Sequence, residues 1–401
     1  MINMCSTITT MLQSSNEEKR KILILSTEYP PNVEGGLGTH VVNLTSFLAK
    51  ENEVHVITPS ILGAPSYQLY KDVHVHRVET ININIDFFIE WIGQVNLAMV
   101  EKALTLHKEK KFHFIHAHDW LVGYAAITLR IECSVPLITT FHSTEYGRSK
   151  INGRIGELYN RIVNIEQSLL THSNKVIVCS ESMLNEVCSI EDVKDKTCVI
   201  SNGVDLEKYD TVSNYSRFTE KKKVVLAMGR LVPEKGFQHL VQAAAILCKE
   251  NKDVLFILAG VGPIKKNLLK QVKKLGLESH FLFIGFVQGE EKKALLQSSD
   301  VVVIPSLYEP FGIVALEAMI ERKPVIASPI GGLKSIVQHE HDGLLVDCTN
   351  RIELARAISR ILCNDQEAAT FGEHAYEKVR INYSWEKVIS LTKNVYNYVL
   401  Q

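Results

Sequence analysis

Ile22-Leu-Ile-Leu25, Ser26-Thr-Glu-Tyr-Pro-Pro31, Gly35-Gly-Leu-Gly38, Val41 to Lys50 and Glu53-Val-His-Val-Ile-Thr58 follow one another near the start of the chain. The first run is continuously apolar and bounded by turn residues, which reads as a buried parallel strand ending in a loop. Val41 to Lys50 places apolar residues at helical spacing, and Glu53 to Thr58 reads as a second strand. Strand, glycine-rich loop, helix and strand together open a doubly wound α/β domain.

The alternation continues outward. Phe114-Ile-His-Ala-His118, Pro136 to Phe141, Lys175 to Cys179 and Thr197 to Ile200 read as strands, and Leu121 to Arg130 and Glu157 to His172 as helices. Residues 206–223 are polar and form the expected linker. A second strand series follows: Val224 to Met228, Val254 to Ala259, Phe281 to Ile284, Val301 to Ile304, Pro324 to Ala327 and Gly343 to Val346. Trp385 to Leu400 has a helix period. The expected architecture is therefore two α/β sheets of similar size facing across a cleft, with ordered structure from Lys21 and a flexible extension over 1–20. Ligands of such sheets bind beyond the carboxyl ends of the strands.

Bulk properties bound the function. The chain has 401 residues, 46% hydrophobic and 22% charged, which is a globular composition. Lys plus Arg is 44 and Asp plus Glu 45, so no basic excess points to nucleic acid. The 8 cysteines include no Cys-x-x-Cys pair or zinc-ligand spacing and read as free thiols in a reducing cytoplasm. No apolar run approaches the ~20 residues of a membrane span. The lysines at 265, 266, 270, 273 and 274 read as a solvated helix face, leaving peripheral contact with a membrane or an anionic acceptor open.

The chemistry-bearing residues fall just after strands. Gly35 and Gly36 belong to a loop that is either a plain turn or a phosphate cradle at a helix start, and it lacks the dinucleotide spacing. His116 is expected to point into packing. His118 and Asp119 lie where their strand stops and can face the cleft, Asp119 alternatively capping the next helix. His142, Glu145, Tyr146 and Arg148 lie in the segment 139–148, which reads as a polar, acceptor-side loop. In Gly229-Arg-Leu-Val-Pro-Glu-Lys-Gly236, Arg230 and Lys235 are two cations suited to a diphosphate leaving group. Gly260 and Gly262 follow the next strand. Glu309-Pro-Phe-Gly-Ile-Val-Ala-Leu-Glu317 reads as a carboxylate, a helix start and a second carboxylate. The amides of Phe311, Gly312, Ile313 and Val314 would point at an anion. Eight helical steps would separate the carboxylates by roughly 12 Å along the axis. That exceeds the ~5–9.5 Å of a paired-carboxylate hydrolase, so they should hold different parts of one ligand.

From Lys21 onward the pattern resembles the retaining glycosyltransferases of family 4, with the GT-B fold of two Rossmann-like domains. The carriers are Glu309 to Glu317 with Pro-Phe-Gly inside it, the motif 229–236, and Ser201-Asn-Gly-Val-Asp205. The resemblance implies an acceptor domain over 21–205, joined by a returning helix at 385–401, and a donor domain over 206–384. It implies that Arg230 and Lys235 bind a diphosphate and that Glu317 holds the nucleoside ribose. Glu309 with the amides of Phe311, Gly312 and Ile313 would hold the donor sugar. His118 would lie at the reaction centre, Gly36 near the phosphates, and the base pocket around Phe286 and Val287.

Gly-Gly-Leu-Gly, His-Ala-His-Asp-Trp and His-Ser-Thr-Glu-Tyr-Gly-Arg are most similar to the glycogen and starch synthase side of the family. Bacterial glycogen synthases carry Lys-Thr before those glycines; Val33-Glu34 stand here, so one donor-phosphate contact is missing. The implied activity is hexosyl, usually glucosyl, transfer from a UDP- or ADP-glucose type donor to a hydroxyl acceptor such as an α-glucan or envelope glycan. Neither a cofactor nor a metal is expected. The alternative class is a non-catalytic nucleotide-sugar sensor on the same fold.

Overall fold

The apolar runs become the strands of two sheets. The computed structural model describes residues 19–33, 35–80, 88–153, 156–209, 222–250 and 253–401. Most of the expected extension, and the linker from 210 to 221, lie outside the described residues. The first sheet contains β1 (Lys21–Leu25), β2 (Glu53–Pro59), β3 (Tyr67–Tyr70), β4 (Val73–Val78), β5 (Phe114–His118), β6 (Leu137–Phe141), β7 (Lys175–Val178) and β8 (Thr197–Val199). The second contains β9 (Lys223–Met228), β10 (Val254–Ala259), β11 (Phe281–Gly285), β12 (Val301–Ile304), β13 (Val325–Ala327) and β14 (Gly343–Leu345).

Strand order decides where a site can form. The first sheet runs β3-β4-β2-β1-β5-β6-β7-β8 and the second β11-β10-β9-β12-β13-β14. Pairing is parallel except between β3 and β4. The chain turns away from β1 on one side to β2 and returns on the other side as β5. It does the same around β9, with β10 on one side and β12 on the other. Each sheet thus has a crevice at the carboxyl ends of two central strands, where a ligand enters.

Both faces of each sheet are covered, so the strands are apolar throughout. Ile22, Ile24, Val54, Val56, Val73 and Val75 pack on Val41, Leu44 and Leu48 of helix Gly36–Leu48. The helix Trp385–Val399 joins the same face through Trp385, Val388, Ile389, Val395 and Tyr396. Trp385 is 1% exposed, and truncating so buried an aromatic costs about 3–5 kcal/mol. Tyr396 also bonds His116 Nδ1 at 2.8 Å, while His116 Nε2 meets Thr140 Oγ1 at 2.7 Å, so His116 is a packed and satisfied histidine as expected.

Several elements differ from the sequence reading. β3, β4 and helix Phe88–Lys110 were not anticipated. The segment 139–148 is not one loop: β6 runs to Phe141, and a helix runs from Glu145 to Asn152, capped by Thr144, whose side chain accepts from the Gly147 amide. The hydrophilic surface of that helix hides its period. The linker begins with a short helix, Leu206–Tyr209. The helix after β12 runs from Ile313 to Ile320, so Glu309 to Gly312 is not helical. Glu317 lies about one turn into it, and the axial estimate of the carboxylate separation does not apply.

Candidate active site between the two sheets

At the first crevice, the loop after β1 supplies Glu28, whose Oε2 accepts from the amides of Gly35 and Gly38 at 3.2 Å each. A carboxylate at a helix start is electrostatically favoured. The loop read as either a plain turn or a phosphate cradle thus has two of its amides occupied by a side chain of the protein itself. Gly36 faces the second unit closely: a Cβ there would stand 3.2 Å from Ile313 Cδ1, the end of a side chain that would have to give by a few tenths of an ångström.

The loop after β5 supplies His118 and Asp119. His118 is fully buried beneath other imidazoles, not displayed on an open cleft wall. Its Nδ1 lies 3.0 Å from His142 Nε2. His40, one turn into helix Gly36–Leu48, completes the group, with ring centroids 4.8 Å from His142 and 5.7 Å from His118. Burial pushes the pKa of His40 down to about 4 and holds His118 and His142 well below the usual histidine value. All three rings are therefore neutral at pH 7. His40 Nδ1, His118 Nε2 and His142 Nδ1 are buried without a hydrogen-bond partner among the described residues. Neutral ring nitrogens left unpaired in a dry site are costly unless a ligand satisfies them. Their spacing, with one nitrogen of each within 4.8 Å of the others, suits a sugar hydroxyl cluster and would also admit a divalent ion.

Asp119 does not cap the following turn. Its Oδ1 accepts from the amides of His142 at 2.6 Å and Ser143 at 3.4 Å, so it fixes the next loop. Its backbone sits at φ 61°, a region that a non-glycine residue occupies only under strain. Burial raises its carboxyl to about 7 against the pull of those amides. Glu145 and Arg148 bond to each other at 3.0 Å, and Arg148 also donates to Ser143 Oγ. Glu166, fully buried, accepts from the Glu145 amide and is raised to about 8 by desolvation. Tyr146 lies under Lys150 Nζ, 4.1 Å from the ring centre.

At the second crevice the residues are ionic. Lys235 Nζ lies 2.6 Å from Glu309 Oε2, and Ser306 Oγ donates to the same oxygen. Gly236 makes that approach feasible: it sits at φ 69°, and a Cβ there would lie 1.8 Å from the Pro305 carbonyl. Arg230 is exposed at the mouth. Glu317, 5% exposed, receives Lys292 Nζ at 2.5 Å and lies beside Tyr209, whose hydroxyl is pushed far up, by burial first and then by this carboxylate.

Gly260 (φ 152°) and Gly262 (φ 156°) press against backbone: their Cβ atoms would meet the Gly229 and Leu231 carbonyls at 1.9 and 2.4 Å. They lock the loops after β9 and β10 together. Phe286 is exposed beyond β11, while Val287 packs on the core. Phe311 is buried edge-on to Tyr383, and Val314 and Ile313 are half-buried. Gly312 takes φ 111° ahead of the helix. Gly331 and Gly332, overlooked in the sequence, press on the Glu309 carbonyl and on Phe311, and the Gly332 amide donates to the Glu309 carbonyl.

Tyr308 joins the two crevices. Its hydroxyl donates to Glu186 Oε1 at 2.8 Å and accepts from the Thr144 amide at 3.2 Å. Thr144 Oγ1 also bonds Glu186, and Ser180 Oγ donates to the Pro310 carbonyl at 2.7 Å. The loop bearing His142 is thus tied to the loop bearing Glu309.

The family described as Glycosyltransferase Family 4 matches residues 34–208, and Glycosyl transferases group 1 matches residues 209–378. A glycosyltransferase of Methanocaldococcus jannaschii is 34% identical over 396 residues, covering 95% of this chain and 99% of the relative. The chain is a family 4 glycosyltransferase of the GT-B type. Glycogen synthase of Mycobacterium tuberculosis is 32% identical over 396 residues, 94% of each chain. Among solved structures, sucrose-phosphate synthase from Thermosynechococcus elongatus superposes with a TM-score of 0.81 at 26% identity, covering 95% of this chain and 99% of that one. HepE from Anabaena, solved with UDP and glucose, has a TM-score of 0.78 at 22% identity, covering 94% and 100%. No helix among the described residues of this glycosyltransferase is long and apolar enough to cross a membrane.

Proposed function

We propose that this glycosyltransferase moves a glucosyl-type hexose from a nucleotide diphosphate sugar to a hydroxyl acceptor with retention of anomeric configuration, without a metal at the reaction centre, in the cytoplasm. The donor is of UDP- or ADP-glucose type, and the acceptor an α-glucan or envelope glycan. The observation that carries this reading is the Lys235–Glu309 pair at the second crevice, held by Tyr308 and Thr144 beside unpaired neutral histidines at the first. The relatives' glycogen synthase identity supports the glucosyl class.

In this reading 21–205 with the returning helix forms the acceptor unit and 206–384 the donor unit. The donor diphosphate replaces Glu309 as the partner of Lys235, with Arg230 closing over it and Gly35 and Gly36 alongside. Glu309, released, holds the sugar together with the Phe311, Gly312 and Ile313 amides. Glu317 takes the ribose hydroxyls from Lys292. The loops of Gly260, Gly262, Phe286 and Val287, with Val314 in the first turn of its helix, shape the nucleotide pocket. His118 and His142 receive sugar hydroxyls, and Glu145, Tyr146 and Arg148 line the acceptor side. The anomeric carbon's bond to the diphosphate oxygen breaks while its bond to the acceptor oxygen forms on the same face. The acceptor proton passes to a leaving-phosphate oxygen. Stabilising that departing charge is the main catalytic task.

The test is a mass-spectrometric screen of UDP-, ADP- and GDP-sugars for nucleotide diphosphate release, with the product's anomeric configuration read by NMR. Retained configuration and activity unchanged by EDTA are expected. An inverted product, or activity lost to EDTA and restored by Mg²⁺, contradicts the mechanism. Tight donor binding with no transfer and no donor hydrolysis contradicts catalysis altogether.

A further inference from the structure

A second histidine group lies at the other end of the first sheet. Glu53 and His55 of β2 and His74 and His76 of β4 share one face, opposite the one on which Val54, Val56, Val73 and Val75 pack. The parallel register sets His55 beside His74 and Ile57 beside His76. The His55 and His74 rings stack with centroids 4.5 Å apart. Phe112 closes one side, and Lys102 and Lys110 of helix Phe88–Lys110 face the group. One ligating atom from each of Glu53, His55 and His74 lies within 4.8 Å of the other two.

We propose that Glu53, His55 and His74 bind a borderline-soft divalent cation, with zinc as the natural fit and water as the fourth ligand. Two imidazoles and a carboxylate are the donor set such ions take. Tetrahedral bonds of about 2.0–2.1 Å put neighbouring ligand atoms ~3.3 Å apart. His55 Nε2 and Glu53 Oε1 already lie 3.0 Å apart and need part by only a few tenths of an ångström, while the half-exposed His74 ring, stacked on His55 with a ligand atom within 4.8 Å, turns toward them to close the site.

The outer partners are in place as well. His55 Nδ1 meets His76 Nε2 at 3.0 Å, and His74 Nδ1 meets the Tyr67 hydroxyl at 2.9 Å. Each ligand ring thus has its Nδ1 engaged, the arrangement that orients metal-binding histidines, and the His55 Nε2 faces the Glu53 oxygen with which it would share the ion. On binding, the His55 proton moves from Nε2 to Nδ1 and is donated to His76 Nε2, whose own proton moves to its Nδ1. No proton is lost from the rings.

A cation already stands at this point. Lys110 Nζ lies 2.9 Å from the same Glu53 oxygen, and its side chain is 37% exposed. It is the competitor that a divalent ion must displace, and it can swing into water. Glu53 and His74 are half-exposed, which leaves a path of entry. Glu53 opens β2 and His74 is the second residue of β4, so the ion would sit at the amino ends of the strands, away from the reaction. Its role would be to staple β2 to β4.

The test uses the full-length protein, stripped with a chelator and titrated with zinc by calorimetry and with cobalt by visible absorption. One ion per chain is expected, with a tetrahedral cobalt spectrum and a raised Tm. His74→Gln and His55→Gln should each weaken binding at least tenfold, and Lys110→Ala should tighten it severalfold. Transfer activity should not change in His74→Gln. The half-exposed His74 and Lys110 variants decide the matter if the buried His55 variant does not fold. Equal binding by wild type and His74→Gln overturns the proposal, as does weaker binding in Lys110→Ala. An ion that persists in His74→Gln but disappears in His40→Gln would sit among the reaction-centre histidines and also overturns it.

Discussion

At the first crevice, His40, His118 and His142 are buried, uncharged and short of partners; at the second, Lys235 with Glu309 and Lys292 with Glu317 are charged and fully paired. The two sheets have the same local topology, so the backbone does not cause the difference. Desolvation does. The first crevice lies under the helix Gly36–Leu48 and Trp385, and rings that dry do not take up a second, charging proton. The second holds Lys235 against Glu309 and Lys292 against Glu317 within bonding distance, so each of these groups has an opposite partner. A neutral wall suits hydroxyls and a paired wall suits a diphosphate, which can exchange with an internal carboxylate. The same local topology thus carries a neutral crevice and an ion-paired one, set by which side chains line each and by whether a buried group has an opposite charge beside it.

The largest expected effect tests the charged side. Lys235→Ala should lower turnover about 10²–10³-fold, the equivalent of ~3–4 kcal/mol, while circular dichroism stays native. Near-normal kinetics would remove Lys235 from the mechanism. Gly236→Ala should be next, because its Cβ collides with the Pro305 carbonyl in a backbone region of positive φ. A stability loss of about 1–3 kcal/mol is expected, read as a lower urea midpoint with a raised donor KM. An unchanged midpoint would mean that the Lys235 turn is not fixed by this contact.

The hydroxyl joining the two sides comes third. Tyr308→Phe removes its bonds to Glu186 and to the Thr144 amide. A loss of ~1–1.5 kcal/mol corresponds to about a tenfold drop in kcat. The donor KM should move less than twofold, because the donor grips remain. A change in donor KM alone would make Tyr308 a donor-side residue instead of a coupler.

The last expectation, partly masked in the wild-type curve, tests the neutral side through pH. His40 has a folded pKa of about 4. The unfolded chain, near 6.5, therefore binds more protons between those values, and stability from His40 being neutral is lost as pH falls through that window. The slope is up to ~1.4 kcal/mol per pH unit. Asp119, raised to about 7, has the opposite sign: its folded form holds a proton that the unfolded form releases above the usual carboxylate value. The wild-type curve is therefore partly compensated. His40→Gln should flatten the acid-side loss relative to wild type, measured as urea midpoints from pH 4.5 to 6.5. Parallel curves would show that His40 is not held neutral by burial.

The sequence made the central strands legible because parallel strands covered on both faces are plain apolar runs, as in Ile22 to Leu25 and Val301 to Ile304. β4 escaped because Val73-His-Val-His-Arg-Val78 alternates with ionisable residues that burial later hides. Helix Glu145–Asn152 escaped because its surface is polar. At the site, Lys235, Glu309 and Glu317 announced themselves as charges after strands. His40 did not: one turn into an amphipathic helix, it is indistinguishable from a packing residue until its neighbours are known. Tyr308 lay inside a noted motif, but its partners Thr144 and Glu186 come from elsewhere in the chain. Glu28, Gly331 and Gly332 work through backbone amides or close approach, which spacing does not record.

The helix Trp385–Val399 has a consequence for how the protein is made. Tyr396 completes the face of a sheet whose partner His116 lies 280 positions earlier. During synthesis, the first unit must wait with Phe114 and His116 not yet covered by Tyr396 while the second is translated and folds. At about 5–20 residues per second that exposure lasts tens of seconds, long enough for a chaperone to engage it. The order of assembly should thus run opposite to the order of the chain: the second unit closes its core first, and the first unit is finished last.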